Sequence, residues 1–82
     1  MEDLSLKEYA DDANVIRQRV GKKLAGLRIQ KGLSVRQLSD ISGIGASHIC
    51  KIENGKHAAG LDILDRMCQA LGAEIMIVEK KG

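Results

Sequence analysis

Residues 34–55 contain two short helical patterns separated by a glycine turn. Ser34 followed three residues later by Gln37 is a capping-box pair, which satisfies backbone donors at the start of a helix. Gly43 can adopt positive φ in the turn at little cost. The expected buried faces consist of Leu38 and Ile41 in the first helix and Ile49 and Ile52 in the second. This layout predicts a helix-turn-helix unit, whose second helix can lie in a DNA groove.

The opposite face of the second helix carries small and polar side chains, namely Ala46, Ser47, Lys51 and Asn54. Such side chains allow a helix to approach base edges closely and to form hydrogen bonds with them. Lys51 can reach a guanine acceptor or a phosphate. A solvated helix face has the same composition, so this alternative stays open at the level of sequence.

Charge along the chain is strongly uneven. The formal net charge is only +2, but residues 17–57 hold nine Lys or Arg against two acidic residues, a local +7. Residues 1–16 hold five acidic residues and one Lys, a local −4. A concentrated basic segment attracts phosphate, which favours a nucleic-acid partner. For Arg17, Arg19 and Lys31 we favour the simpler interpretation that they solubilise the first helix.

The chain divides into an acidic arm over residues 1–13, a helical domain over 14–72 and a tail over 73–82. The arm is open to three interpretations: a mobile arm, a short extra helix or a partner-facing segment. We expect the first helix to run from near Asn14 to Lys31 and another to end at Gly72. Their expected buried stripes are Ile16, Val20, Leu24 and Leu27, and Leu61, Leu64, Cys68 and Leu71, with Met67 as core filler.

The tail contains a run of β-branched and apolar residues, Ile75, Met76, Ile77 and Val78. This run predicts a strand. A lone strand would leave backbone donors and acceptors unpaired, so we expect it to pair with the same strand of a second copy and form a homodimer. The alternative is an extended segment that folds back on its own helices.

Residues from Arg19 to Gly72 resemble the XRE family of Cro/cI-type helix-turn-helix repressors. The resemblance rests on Leu27-Arg28, Gly32-Leu33-Ser34, Gln37-Leu38, Ile49, Ile52-Glu53-Asn54-Gly55-Lys56, Leu61, Leu64 and Ala70-Leu71-Gly72. It implies an all-α, lambda-repressor-like domain of four to five helices. It also implies that Arg28 forms a structural ion pair with Glu53 and does not contact DNA.

The resemblance also implies which residues contact double-stranded DNA with two half-sites. Gln37, Asn54 and Lys56 would contact phosphates, and Ser47 and Lys51 would contact bases. Ala46 would lie at the floor of the groove. His48 would lie at the DNA backbone or at a base edge. The chain departs from the family at Gly45 and Gly60, where a capping Ser or Thr is usual. It also departs at Ala59, which replaces a frequent proline, and at Ala46, which limits that position to van der Waals contact.

A helix-turn-helix unit followed at once by a strand resembles the HipB-type antitoxins, which also bind a toxin. Controller proteins of restriction systems are similarly short but typically all-helical, so the strand is the feature that separates the two. We therefore expect a dimeric autorepressor, with an antitoxin-type interaction module as the alternative and an activator as a third possibility.

Catalysis, metal binding and a cofactor have no support in the sequence. His48 and Cys50 are two residues apart on a helix and so do not share a face. Cys50 and Cys68 are consistent with reduced thiols, and no apolar run is long enough for a membrane span. We therefore expect a cytoplasmic protein that is not an enzyme.

Overall fold

The computed structural model describes residues 6–80, with side chains from residue 13 onward. It contains four helices: α1 (Leu6–Gln30), α2 (Val35–Ser42), α3 (Ala46–Glu53) and α4 (Leu61–Ala70). The expected all-α architecture is confirmed, with four helices in the described residues. None of these helices is long and apolar enough to cross a membrane.

The first helix begins earlier than the sequence suggested. It starts at Leu6, eight residues before the expected start near Asn14. No glycine or proline stands between Leu6 and Val20, so nothing in the backbone interrupts the helix there. Residues 6–13 of the predicted arm therefore belong to α1, whereas residues 1–5 lie outside the described residues. Gly32, with φ 71°, ends the helix in a left-handed cap.

A single hydrophobic core joins the four helices. Leu38, Ile49, Met67 and Leu71 are completely buried, and Leu24, Ile44, Ile52 and Cys68 complete the cluster. Burial raises the pKa of the Cys68 thiol, and Asp65 raises it further. The expected core positions at Leu38, Ile49, Ile52, Cys68 and Leu71 are confirmed.

Four residues that were expected to be buried are exposed: Ile16, Val20, Ile41 and Leu61. For Ile16 and Val20 the expectation is wrong because it took the apolar stripe of α1 to be covered along its whole length. For Ile41 and Leu61 it is wrong because the buried sides run through Leu38 and Ser42 in α2 and through Met67 and Cys68 in α4. The helix α1 has 25 residues and is about 37 Å long, whereas α3 has eight and is about 12 Å long. The short helices cover the second half of α1, and the first half extends past them.

A glycine allows α1 and α3 to approach closely. Gly21 is buried against the last turn of α3. A Cβ built on it would lie 2.6 Å from the carbonyl oxygen of Glu53 and closer still to that of Ile52. Any side chain at this position would push the two helices apart. The spacing between α1 and α3 therefore depends on the absence of a side chain at residue 21.

The turn between α2 and α3 is held by local hydrogen bonds. Gly43 has φ 76°, and its backbone N–H donates to the carbonyl of Ser39. The Ser39 hydroxyl donates to the carbonyl of Ile44 at 2.6 Å, and the buried Ser42 hydroxyl accepts from the backbone N–H of Ile44 at 3.1 Å. These bonds fix the orientation of α3 relative to α2.

The predicted C-terminal strand is absent from the described residues. After the turn at Gly72, residues 73–80 carry no strand. Ala73 packs against the core, whereas Met76, Ile77 and Val78 are exposed. A strand requires a neighbouring backbone with which to pair, and the described part of this single chain offers none.

Candidate nucleic-acid interface

The exposed face of α3 is the best candidate for contact with a ligand. Ile49 and Ile52 fix one side of this helix in the core, so the opposite side faces outward. The exposed residues on that side are Ala46, Ser47, Cys50 and Lys51. A bare helix of this length, carrying short side chains and one cation, fits the width of a DNA major groove.

The C-terminal end of α3 is fixed by an ion pair with α1. The Arg28 Nε atom donates to Glu53 Oε2 at 2.7 Å, and Nη2 donates to Oε1 at 3.0 Å. The remaining Nη1 donates to the carbonyl of Leu33 at 2.8 Å. The two side chains retain only 14% and 8% of their exposure. Arg28 thus links three parts of the fold: its own helix α1, the loop that precedes α2, and the end of α3.

These hydrogen bonds favour the charged form of the Arg28 guanidinium and engage its donors within the fold. The bond to Glu53 raises the pKa of Arg28 above its ordinary value, and this outweighs the opposing effect of burial. A bidentate pair of this kind has a fixed geometry. Three of the five guanidinium N–H donors are thus engaged within the fold, which agrees with a structural role for Arg28.

Gln37 serves the start of α2 and remains exposed. Its Oε1 atom accepts from the backbone N–H of Ser34 at 2.8 Å, while its own backbone N–H donates to Ser34 Oγ at 3.0 Å. The predicted capping box is confirmed. The cap uses only the amide oxygen of the side chain, so the amide nitrogen keeps its hydrogens for an outside acceptor such as a phosphate.

The loop after α3 adds further polar groups at the same end of the molecule. Asn54 and Lys56 are both exposed. Asn54 and Glu53 share a surface cavity of about 210 Å³ with Gln18 and Lys22 of α1. The sequence did not identify Lys22 as a candidate contact residue. Only the close approach of the helices at Gly21 shows which α1 side chains lie next to the end of α3.

His48 lies away from this face. It is half-buried, and its ring meets the ring of His57 edge-on with 4.7 Å between the centroids and 80° between the planes. Its Nε2 atom is buried and has no hydrogen-bond partner among the described residues. The helical rotation of 100° per residue turns His48 toward His57 in the loop before α4, on the opposite flank from Cys50.

The described residues contain no group of three or more His, Cys, Asp or Glu side chains that could hold a metal ion. The exposed face of α3, its neighbour Gln37 and the loop after α3 are instead surrounded by amide, hydroxyl and ammonium donors. Such donors suit phosphate oxygens and the acceptor atoms of base edges.

Comparison with known families agrees with this geometry. The helix-turn-helix family model HTH_3 matches residues 24–76, which include α2, α3 and α4 completely. The chain belongs to the XRE-type helix-turn-helix family. The relatives that this chain matches are described as transcriptional regulators, a class of protein that is not enzymatic.

Individual helix-turn-helix relatives are regulators. Over 66 residues, or 80% of its length, the chain is 29% identical to the transcriptional regulator ClgR of Mycobacterium tuberculosis. It is 36% identical over 64 residues to the uncharacterized HTH-type transcriptional regulator y4dL of Sinorhizobium fredii. The chain spans 59% of the length of ClgR and 33% of that of y4dL.

Solved helix-turn-helix structures have the same fold. The restriction-modification controller protein C.AhdI from Aeromonas hydrophila superposes with a TM-score of 0.71 at 30% identity, covering 73% of this chain and 91% of that one. The clp gene regulator ClgR from Corynebacterium glutamicum superposes with a TM-score of 0.69 at 29% identity, covering 72% and 76% of the two chains. The HipB-type assignment rested on a strand that the described residues lack, so it loses its support.

Proposed function

We propose that this chain is a dimeric, sequence-specific DNA-binding repressor that inserts α3 into the major groove. The observation that carries the proposal is the position of α3: its apolar side is locked into the core and its end is held by the Arg28–Glu53 pair, while its polar side is fully open. A rigidly held helix with an open polar face can present side chains to base edges in one register.

Each contact follows from the position of its residue on this surface. Ser47 and Lys51 would face bases, with Lys51 donating to guanine acceptors, and Ala46 would contact the groove floor or a thymine methyl. Asn54 and Lys56 would hold phosphates beyond the end of α3. Gln37 would donate its free amide hydrogens to a phosphate next to the start of α2. We add Lys22 and Cys50 to this surface because they border the same face.

Binding to two half-sites requires two copies, and the tail is the segment that we propose to join them. The exposed fractions of Met76, Ile77 and Val78 are 70%, 97% and 76%, which is a long run of uncovered apolar side chains. Ile75 and Ile77 also line a surface cavity of about 540 Å³ together with the exposed Leu61. Contact between two tails would cover these groups and provide the two-fold axis that half-sites about 34 Å apart require.

The DNA-binding part of the proposal is tested by titrating the protein with its own upstream DNA and with random DNA across a salt series. Tight binding that weakens steeply with salt and prefers the upstream DNA supports the proposal. Equal binding to both DNAs contradicts it.

A pair of lysine variants locates the contact surface. Lys51→Ala should weaken upstream binding and reduce the salt slope by about one. Lys31→Ala removes the same charge at the end of α1, where its ammonium approaches Gly72, away from α3. It should leave affinity almost unchanged. Equal losses in the two variants would contradict a specific contact from Lys51.

The dimer and the direction of regulation need separate measurements. A Met76→Glu/Ile77→Glu variant should weaken binding to DNA that contains two half-sites. A reporter fused to the upstream DNA should fall in expression when the protein is supplied. Unchanged affinity for DNA with two half-sites would contradict the tail contact, and a rise in reporter expression would identify an activator.

A further inference from the structure

An apolar groove runs between α1 and the start of α4, on the flank away from the exposed face of α3. Its volume is about 190 Å³. Its walls are formed mainly by Ile16, Val20, Ala58, Ala59 and Leu64, with Arg17 and His57 at its edge. Ile16 is 54% exposed and Val20 is 37% exposed, so this wall remains uncovered within the described chain.

We propose that the groove receives the first turns of α1 from a second copy, with the two α1 helices antiparallel. The contact would be isologous, since each copy inserts residues 6–13 into the groove of the other. This self-contact is separate from the α3 surface and from the tail. It would hold two chains together through α1 even where the tails are apart.

The charge along α1 is complementary to itself only in the antiparallel direction. Within the first turns, Lys7, Glu8, Asp11 and Asp12 sum to −2. The following segment holds Arg17, Arg19, Lys22 and Lys23, which sum to +4. An antiparallel pair sets each acidic segment beside a basic one, whereas a parallel pair would set like charges side by side. Asp11 and Asp12 would lie near Arg17 and Arg19 of the other copy.

The spacing of apolar residues is also symmetrical about one point of α1. Tyr9, Ala13, Ile16 and Val20 follow one another at intervals of four, three and four residues. This is the spacing of a helix-pairing seam. A two-fold axis midway between residues 14 and 15 brings position 9 level with Val20 and position 13 level with Ile16. The apolar positions of the first turns then coincide with the two α1 residues that line the groove.

The test measures mass by sedimentation at rising protein concentration in the Met76→Glu/Ile77→Glu background, without DNA, so that the tail contributes nothing. The α1 contact predicts a dimer in this background. Adding Ile16→Glu should convert it to a monomer, whereas Ile29→Glu should not. Ile29 is exposed on the same helix but outside the groove, which makes it the matched control. A monomer before any α1 substitution, or equal effects of the two, would overturn the proposal.

A charge exchange tests the antiparallel direction. In the same Met76→Glu/Ile77→Glu background, the variants Asp11→Lys/Asp12→Lys and Arg17→Glu/Arg19→Glu should each be monomeric alone, because both place like charges opposite each other. Mixed in equal amounts, they should form a heterodimer, since every acidic segment again meets a basic one. Melting temperatures measured by circular dichroism check that each variant is folded. Folded variants that stay dimeric alone, or that stay monomeric when mixed, would refute the proposed arrangement.

Discussion

Replacing Gly21 by alanine should separate α1 from α3. The added Cβ would stand 2.6 Å from the Glu53 carbonyl oxygen, whereas an ordinary carbon–oxygen contact is about 3.3 Å. The helices must therefore move apart by at least about 0.7 Å, since the Ile52 carbonyl oxygen is closer still, and both oxygens are backbone atoms that cannot rotate away. Overpacking of this kind costs about 1–3 kcal/mol. The helix propensity of alanine offsets about 0.8–1 kcal/mol.

The expected net loss is about 1–2 kcal/mol, because rigid backbone obstruction places the cost in the upper half of that range. For a domain of this size, this lowers the melting temperature by about 5–15 °C. Thermal unfolding followed by circular dichroism measures it. Gly26 provides the matched control, since it lies in the same helix and a Cβ there meets nothing within 4 Å.

Gly26→Ala should raise the melting temperature by about 4–8 °C, because it gains helix propensity with no clash. The two variants carry the same chemical change and should therefore move in opposite directions. A Gly21→Ala protein that melts at or above the Gly26→Ala protein would refute the close approach of α1 and α3.

Three further predictions concern individual side chains. Glu53→Gln should lower the free energy of unfolding by about 1–3 kcal/mol in denaturant titration, because it leaves the charge of Arg28 without its partner in a largely buried setting. Ser34→Ala should cost about 1 kcal/mol in the same assay through loss of the cap of α2. A maleimide should label Cys50 rapidly in the native protein and Cys68 only after unfolding, because Cys68 is buried and its thiol pKa is raised.

Clear outcomes would contradict each of these. Unchanged unfolding of the Glu53→Gln protein would show that the ion pair contributes nothing to stability. A Ser34→Ala protein as stable as the parent would show that the cap of α2 does not contribute to stability. DNA should also protect Cys50 from the maleimide, and labelling at the same rate with and without DNA would mean that this face of α3 is not the contact surface.

The local features of the fold could be predicted from sequence, because each depends on neighbouring residues. The capping box needs only Ser34 and Gln37, and the buried side of α3 needs only the spacing of Ile49 and Ile52. Arg28 and Glu53 are 25 residues apart along the chain. Their pairing was predicted from the resemblance to a family whose residue spacing this chain repeats.

The features that were missed depend on how the helices lie against one another. The exposure of Ile16 follows from the difference in length between α1 and its neighbours, which periodicity does not record. The position of Lys22 beside Asn54 follows from the crossing of α1 and α3, and the contact of His48 with His57 follows from the path of the loop after α3. The strand expected in the tail required a neighbouring backbone, and sequence composition does not contain that information.

The eight-residue α3 has no side-chain cap at Gly45 and is far shorter than a helix that persists alone in water. Its helical form therefore exists only while its contacts with α1 and the core are intact. A partly unfolded form of this protein would not retain α3 as a helix that can contact DNA. As the temperature approaches the unfolding midpoint, the occupancy of DNA should fall in step with the loss of the whole domain, and bound DNA should in turn raise that midpoint.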